Sequence, residues 1–305
     1  MNQSRVIALG FFDGVHLGHG QLLKWCRREA DRLGVRAAAL TFDLHPDSLV
    51  NGSAVPLLTD PAERTRLMRE LYGMDDVLVL RFDKQTMNMP WQDFLRDVLV
   101  ERYKAACLVC GHDFRFGRRG EGDAQKLKTA SGGLGVGCAV IPAYEIDGIT
   151  VSSTYIRSLV EAGDLDRARR FLGHPHTLTG VVEKGRGLGH TWGIPTANLS
   201  REWGQLLPPS GVYACKALTP EGTYLAVTNI GTCPTVGGHR LTVEPWLLDF
   251  EGDLYGKPVT LELWQYLRGE RKFPDTQSLQ AEIRRNAEQT RAYFKKTDLH
   301  DFAVS

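Results

Sequence analysis

Apolar positions in the first half of the chain follow two periods in turn. Short continuous apolar runs at Arg5–Leu9, Val35–Phe42, Val77–Phe82, Ala105–Cys110 and Val136–Pro142 predict strands. Between them, Leu22, Trp25, Cys26 and Ala30 share one helical stripe within Gln21–Leu33, and Pro90–Glu101 and Asp123–Ser131 also read as helices. Asp60–Leu71 opens with a readable helix start: Asp60 as N-cap, Pro61 in the first turn and Glu63 three residues after the cap. Strand–helix–strand alternation predicts a parallel sheet with helices on both faces.

The pattern changes after two short helices, Thr154–Ala162 and Asp164–Phe171. From there Thr177–Glu183, Gly211–Leu218, Thr223–Ile230, Leu241–Leu248 and Val259–Leu267 are rich in Val, Thr, Tyr and Leu and are separated by Gly/Pro turns. Their spacing suits a small antiparallel β-barrel. A last helix, Ser278–Phe294, has Leu279, Ile283, Ala287 and Phe294 on or near one stripe that closes over the barrel. The aperiodic stretch Gly173–His176 marks the expected boundary between domains 1–174 and 175–305.

Charge narrows the partners. Lys+Arg total 37 and Asp+Glu total 36 over 305 residues, so neither half carries a basic field that would draw nucleic acid or a membrane surface. No apolar stretch approaches the roughly 18 residues of a membrane span, and Asp13 interrupts the apolar N-terminal run before any leader-like site. Six thinly spread cysteines read as the reduced thiols of a cytoplasmic protein. Cys107 and Cys110 invite a metal or redox reading, but no second pair stands at ligand spacing. On a strand, residues three apart face opposite ways, so they are expected to be structural.

The sharpest local signal is Gly10-Phe-Phe-Asp-Gly-Val-His-Leu-Gly-His19, between the first strand and the first helix. Backbone N–H groups and the positive helix end converge there on an anion, and glycines allow close approach. His16 and His19, three apart, lie on one side of a helical turn, where two imidazoles can donate to charge growing on a phosphate. An isolated H-x-x-H is more often a pair of solvent histidines; the strand-to-helix position favours phosphate. Val151-Ser-Ser-Thr-Tyr-Ile-Arg157 is the second signal. One hydroxyl serves as an N-cap, but Ser152, Ser153, Thr154 and a following Arg157 also make a phosphate clamp.

These segments resemble the two signatures of the HxGH nucleotidyltransferase superfamily. Thr41-Phe-Asp-Leu-His-Pro46, Gly111-His-Asp-Phe-Arg-Phe-Gly117 and Gly163-Asp-Leu-Asp-Arg-Ala168 resemble its flavin branch, and residues 5–294 as a whole resemble the prokaryotic bifunctional riboflavin kinase/FAD synthetase family. The resemblance implies a Rossmann-like nucleotidyltransferase domain followed by a β-barrel kinase domain. It implies ATP and Mg²⁺, with riboflavin, FMN and FAD as substrates and products and small molecules as partners. By the same resemblance Gly10, Phe12, Asp13 and Gly14 belong to the nucleotide turn, and His16 and His19 attend the triphosphate. Ser152, Ser153, Thr154 and Arg157 hold its β/γ side, and Asp113, Phe114 and Phe116 lie toward the flavin. Core packing is an equal alternative for the two phenylalanines, and a solvated loop is expected for Arg115, Arg118 and Arg119.

In the second half, Gly185, Gly187, Gly189 and Gly193 make a pliable loop able to present N–H groups to phosphate, which is also an ordinary barrel turn. Thr196 and Asn198, two apart, offer hard oxygen ligands near Mg²⁺. Glu244 alternates onto a face with Trp246 and Leu248, and Pro245 suggests an edge strand. The resemblance to a flavokinase signature makes Glu244 the base for the riboflavin hydroxyl and puts Arg268 in a loop near flavin or phosphate. Two positions depart from that pattern: His190 stands where Arg or Lys is usual, and Cys233 where Arg is usual. Each loses a bidentate donor. Retention of one activity alone, or a flavin-binding regulator without turnover, are the alternatives.

Overall fold

The computed structural model describes residues 4–183, 194–200, 204–235 and 238–301. The chain divides into two compact units, Met1–Tyr155 and Ile156–Ser305.

The strands of the first unit are β1 (Arg5–Leu9), β2 (Arg36–Phe42), β3 (Asp76–Leu80), β4 (Ala105–Gly111), β5 (Arg115–Phe116), β6 (Gly122–Asp123), β7 (Gly137–Ile141), β8 (Glu145–Ile146) and β9 (Ile149–Thr150). Its helices are α1 (Leu17–Leu33), α2 (Pro46–Asn51), α3 (Pro61–Tyr72), α4 (Lys84–Met87), α5 (Trp91–Asp93) and α6 (Ala124–Gly133). Five strands pair in parallel in the order β3-β2-β1-β4-β7, while β5–β6 and β8–β9 are small hairpins. Alternation along each strand feeds two cores. Val6 and Ala8 pack with Leu23, Cys26 and Met68 on one face, and Ile7 and Leu9 pack with Phe94, Leu99 and Leu127 on the other. Cys107 belongs to the first core and Cys110 to the second, the opposed structural placement expected of them.

Asp60 caps α3 as its sequence predicts, accepting from the Glu63 N–H at 2.8 Å. The Glu63 carboxylate turns instead to Arg66, at 2.7 Å. The expected α-helix Pro90–Glu101 becomes α5 followed by a π-helix, Phe94–Arg102. Its buried pairs Phe94/Leu95 and Val98/Leu99 recur every four residues, so the wider turn keeps both on the core.

The division between units falls within α7 (Ser153–Glu161). The second unit then holds α8 (Leu165–Leu172), β10 (His176–Glu183), β11 (Asn198–Leu199), β12 (Gly211–Thr219), β13 (Gly222–Thr235), β14 (Gly238–Leu247), β15 (Pro258–Arg268) and α9 (Thr276–Asp301). Leu165 of α8 packs into the barrel core with Leu178, Leu261 and Leu263, which is why the compact unit begins ahead of the aperiodic stretch at Gly173–His176. The six strands run β11-β10-β15-β12-β13-β14, every pair antiparallel. The nearly closed barrel is stitched across its ends by the Ala197 N–H, which donates to the Pro245 carbonyl at 2.9 Å. Ala287 of α9 packs on the outside with Val212, Val227, Leu248 and Trp246.

Candidate functional site

The parallel sheet reverses its direction of travel between β1 and β4, and ligands of open α/β sheets sit outside the carboxyl ends of strands at such a point. Beyond β1, the chain must turn sharply to enter α1. Phe12, Gly14 and Val15 all take positive φ, at 58°, 77° and 40°. For a β-branched residue this is a strained conformation, held here by burial of Phe12 and Val15 in the core. Gly10 leaves room for the Phe12 ring, whose nearest atom would be 3.1 Å from a Cβ there. The Asp13 carboxylate accepts from the N–H groups of Leu58 and Thr59 at 3.1 and 3.0 Å, and the Gly14 N–H donates to the Thr59 hydroxyl at 3.0 Å. Both residues therefore hold the turn from behind, and neither lines the cleft in front of it.

That cleft, about 400 Å³, is walled by Gly10, Phe12, His16, His19, Ser152 and Ser153 on the turn side. His16 caps α1, its Nδ1 accepting from the His19 N–H at 3.2 Å. The two imidazoles stack with centroids 3.5 Å apart and planes 13° from parallel. The Ser153 hydroxyl donates to the Asp13 carbonyl at 2.9 Å, which ties the start of α7 to the turn. Ser152 Oγ accepts from the Tyr155 N–H at 3.3 Å, so it caps α7 while still facing the cleft. Part of His19 opens on the cleft, yet desolvation, then the neighbouring charges of His16 and Arg64, hold its pKa well below 6.5. The ring is neutral at pH 7. Its Nδ1 is buried without a hydrogen-bond partner. An orphaned acceptor is less costly than an orphaned donor, so the proton belongs on Nε2.

The opposite wall comes from the carboxyl ends of β4 and β7: Gly111, Asp113 and Phe114, then Ile141 to Tyr144. Phe114 stacks on Phe116 at 5.4 Å. Phe116 itself is core, packed against Trp91 and Phe94, so the flavin-facing expectation does not hold for that ring. Arg115, expected in a solvated loop, is exposed but reaches the cleft wall, 3.8 Å from Asp123. Thr154 is exposed and lies off the cleft, and Arg157 follows on α7, half-buried. Leu22, Phe42, Pro46, His112 and Tyr144 also line the cleft; the sequence by itself assigned none of them a site role, although Phe42, Pro46 and His112 fall within segments that resemble the flavin branch. For Ile141–Tyr144, the position just after a parallel strand was the available signal.

In the second unit a cavity of about 270 Å³ is lined by Val182, Thr196, Ala197, Leu247, Glu251 and Asp253, among others. Thr196 and Asn198 flank the residue whose N–H binds Pro245, the chain neighbour of Glu244. The stitch thus brings the three expected residues to one edge of the barrel. Glu244 is half-buried on β14 opposite Asn229, on the face away from the core residues Val243 and Leu247. Glu270 stands over the neighbouring Gly231, where a Cβ would lie 2.1 Å from its Oε1. Arg268 is held by α9: its Nε donates to Asn286 at 3.1 Å and lies 3.4 Å from Glu282. Gly185, Gly187, Gly189 and His190 lie outside the described residues.

A family model described as FAD synthetase matches residues 1–155, and one described as riboflavin kinase matches residues 172–294. A bifunctional riboflavin kinase/FMN adenylyltransferase of Listeria monocytogenes is 34% identical, over 97% of this chain and 94% of its own. Its Escherichia coli counterpart is 36% identical over 96% and 93%. The chain belongs to the bifunctional riboflavin kinase/FMN adenylyltransferase family. A crystal structure described as a macrolide-efflux protein from Streptococcus pneumoniae shares the fold, with a TM-score of 0.81 and 26% identity over 95% of both chains. Among the described residues no helix is long and apolar enough to cross a membrane. The family's two domain models fall on the two clefts described above, one per unit. Cys233, where the family pattern expects Arg, lies in β13 in register with Arg240.

Proposed function

We propose that the cleft of the first unit transfers adenylate from ATP to FMN, and that the second unit phosphorylates riboflavin at the barrel edge that carries Thr196, Asn198 and Glu244. The observation that carries the reading is the meeting of His16, His19, Ser152 and Ser153 in one cleft at the carboxyl ends of parallel strands. In the first reaction a phosphate oxygen of FMN attacks the α-phosphorus of ATP and pyrophosphate leaves in line. Positioning and charge stabilisation suffice, without a covalent enzyme intermediate. His19, neutral, offers its Nε2–H to oxygens that gain charge as the bond breaks, and His16 stands beside it. Ser152 and Ser153, which line the cleft, take the β/γ side. Asp113 and Phe114 take the flavin side.

In the second reaction Glu244 accepts the proton of the riboflavin 5′-hydroxyl as that oxygen attacks the γ-phosphorus. Thr196, which lines the barrel cavity with Glu251 and Asp253, and Asn198 two residues on supply the hard oxygen donors that suit Mg²⁺. Mg²⁺ bound there would neutralise charge on the transferred phosphoryl group. The reading places the enzyme in the cytoplasm, with small molecules as its partners.

The test supplies purified protein with riboflavin, ATP and Mg²⁺ and times FMN and FAD. FMN followed by FAD is expected. FMN alone leaves only the kinase, and FAD from added FMN alone leaves only the transferase. Flavin binding with neither product makes the protein a regulator.

A further inference from the structure

Arg64 is the largest side chain with no exposed surface among the described residues, and the reaction scheme gives it no part. It stands on the first turn of α3, behind the nucleotide turn. Its Nη1 donates to the Phe11 carbonyl at 2.9 Å, the Thr41 hydroxyl oxygen at 2.9 Å and the Phe42 carbonyl at 3.2 Å; Nη2 reaches the Thr59 carbonyl at 3.5 Å. The Thr41 hydroxyl itself donates to the Phe11 carbonyl at 2.7 Å. The guanidinium carbon lies 4.1 Å from the centre of the Phe11 ring. Every hydrogen-bond acceptor is uncharged, and Nε has no partner. A cation buried this way is costly unless its charge is used.

Two buried carboxylates lie within its field, Asp13 and Asp60. Burial lowers the Arg64 pKa to about 10 against their opposing pull, so it stays charged at pH 7. Both carboxylates are committed to backbone: Asp13 to Leu58 and Thr59, Asp60 to the start of α3. His19, on α1, feels the same guanidinium. Behind the turn, then, stand two fixed negative charges and one positive, while the cleft in front is read as the seat of a triphosphate.

We propose that Arg64 is a positioning residue of the adenylylation site. It anchors the Phe11 carbonyl from which the strained Phe12–Val15 turn hangs, and its charge offsets Asp13 and Asp60, which would otherwise repel the nucleotide's phosphates. This rests on the reading of the first cleft as the ATP site. In a partly desolvated setting, one unit charge acting on several phosphate charges about 10 Å away changes binding by tenfold or more.

The experiment measures KM for ATP and kcat of FAD formation from added FMN, with FMN formation from riboflavin in the same preparation as the folding control. Arg64→Met is expected to raise KM for ATP by about tenfold or more, with FMN formation unchanged. Arg64→Lys keeps the charge and holds KM within about threefold of the parent. Asp60→Asn retains the N-cap but removes one negative charge. In the Arg64→Met background it recovers much of the lost affinity, and in the parent it lowers KM even if Arg64→Met does not fold. If Arg64→Met loses only kcat or melting temperature, with KM unchanged, the proposal is overturned; so it is if Asp60→Asn leaves KM where it was in both backgrounds. A parent that forms no FAD overturns the adenylylation reading itself, whereas an active parent with an indifferent Arg64→Met overturns this proposal alone.

Discussion

Gly180→Ala tests whether the seam of the barrel places the kinase groups. Gly180 lies on β10 opposite Val259. A Cβ there would fall 2.1 Å from the Ser200 carbonyl oxygen and 3.1 Å from Leu199 Cβ. Non-bonded heavy atoms settle at roughly 3.5 Å, so the segment at 199–200 must move out by about 1 Å. The Ser200 N–H and hydroxyl both donate to the Val181 carbonyl, at 2.9 and 3.1 Å, and both bonds stretch beyond useful length. Each is worth about 0.5–1.5 kcal/mol, and overpacking adds about 1–3 kcal/mol. The alanine returns about 0.4–1 kcal/mol by stiffening the unfolded chain. The net loss is about 1–5.5 kcal/mol, centred near 3, which lowers the melting temperature of the second unit by about 2–20 °C. Asn198 rides on the displaced segment, and a 1 Å misplacement costs on the order of a hundredfold in rate. The assay follows FMN formation from riboflavin well below the variant's melting temperature, with FAD formation from added FMN as control. An unchanged unfolding transition together with FMN formation within threefold of the parent would refute the reasoning.

Glu244→Gln is expected to stop FMN formation while sparing FAD made from added FMN; loss of both shows that the two sites are not separable. His19, held neutral by burial, is expected to show no titration step near pH 6.5 by NMR, and FAD formation should not change between pH 7 and 9 through this ring; a step near 6.5 contradicts the buried tautomer. Hydrogen bonding from Arg36, then Arg5, lowers the Asp76 pKa from 3.8 to about 2. Because the folded value is depressed, the stabilisation is full above about pH 4 and is lost as the pH falls toward 2, about 1–2 kcal/mol after allowing for partial exposure. Asp76→Asn should remove that part of the acid slope in pH-dependent unfolding, and a slope equal to the parent's would exclude it.

The long elements were legible because their signals are local. Asp60 and Pro61 announce α3, and the strands of the parallel sheet stand out as apolar runs facing two cores. The two-residue strands of β5–β6 and β8–β9 carry no period and were invisible. The paired histidines could be read because strand, turn and helix are consecutive. Asp13 could not, since its partners at Leu58 and Thr59 are 45 and 46 residues away. Arg64 sits in the charged run Pro61-Ala-Glu-Arg-Thr-Arg66, which carries no local sign of burial; only the folded chain puts it beneath Phe11. Phe114 and Phe116 differ by two positions and are chemically identical, so only packing separates the cleft ring from the core ring.

Pro245 gives the barrel an asymmetry that no side chain supplies. Along a strand, a residue's amide nitrogen and carbonyl point the same way, so the missing N–H of Pro245 would have faced the same neighbour that its carbonyl holds. The imino ring therefore spares the ladder to β13 and cancels the return bond toward the 195–197 segment. One zipper tooth engages and the next is absent by covalent structure, so the rim carrying Thr196 is kept from being sewn shut whatever fills the cavity beside it.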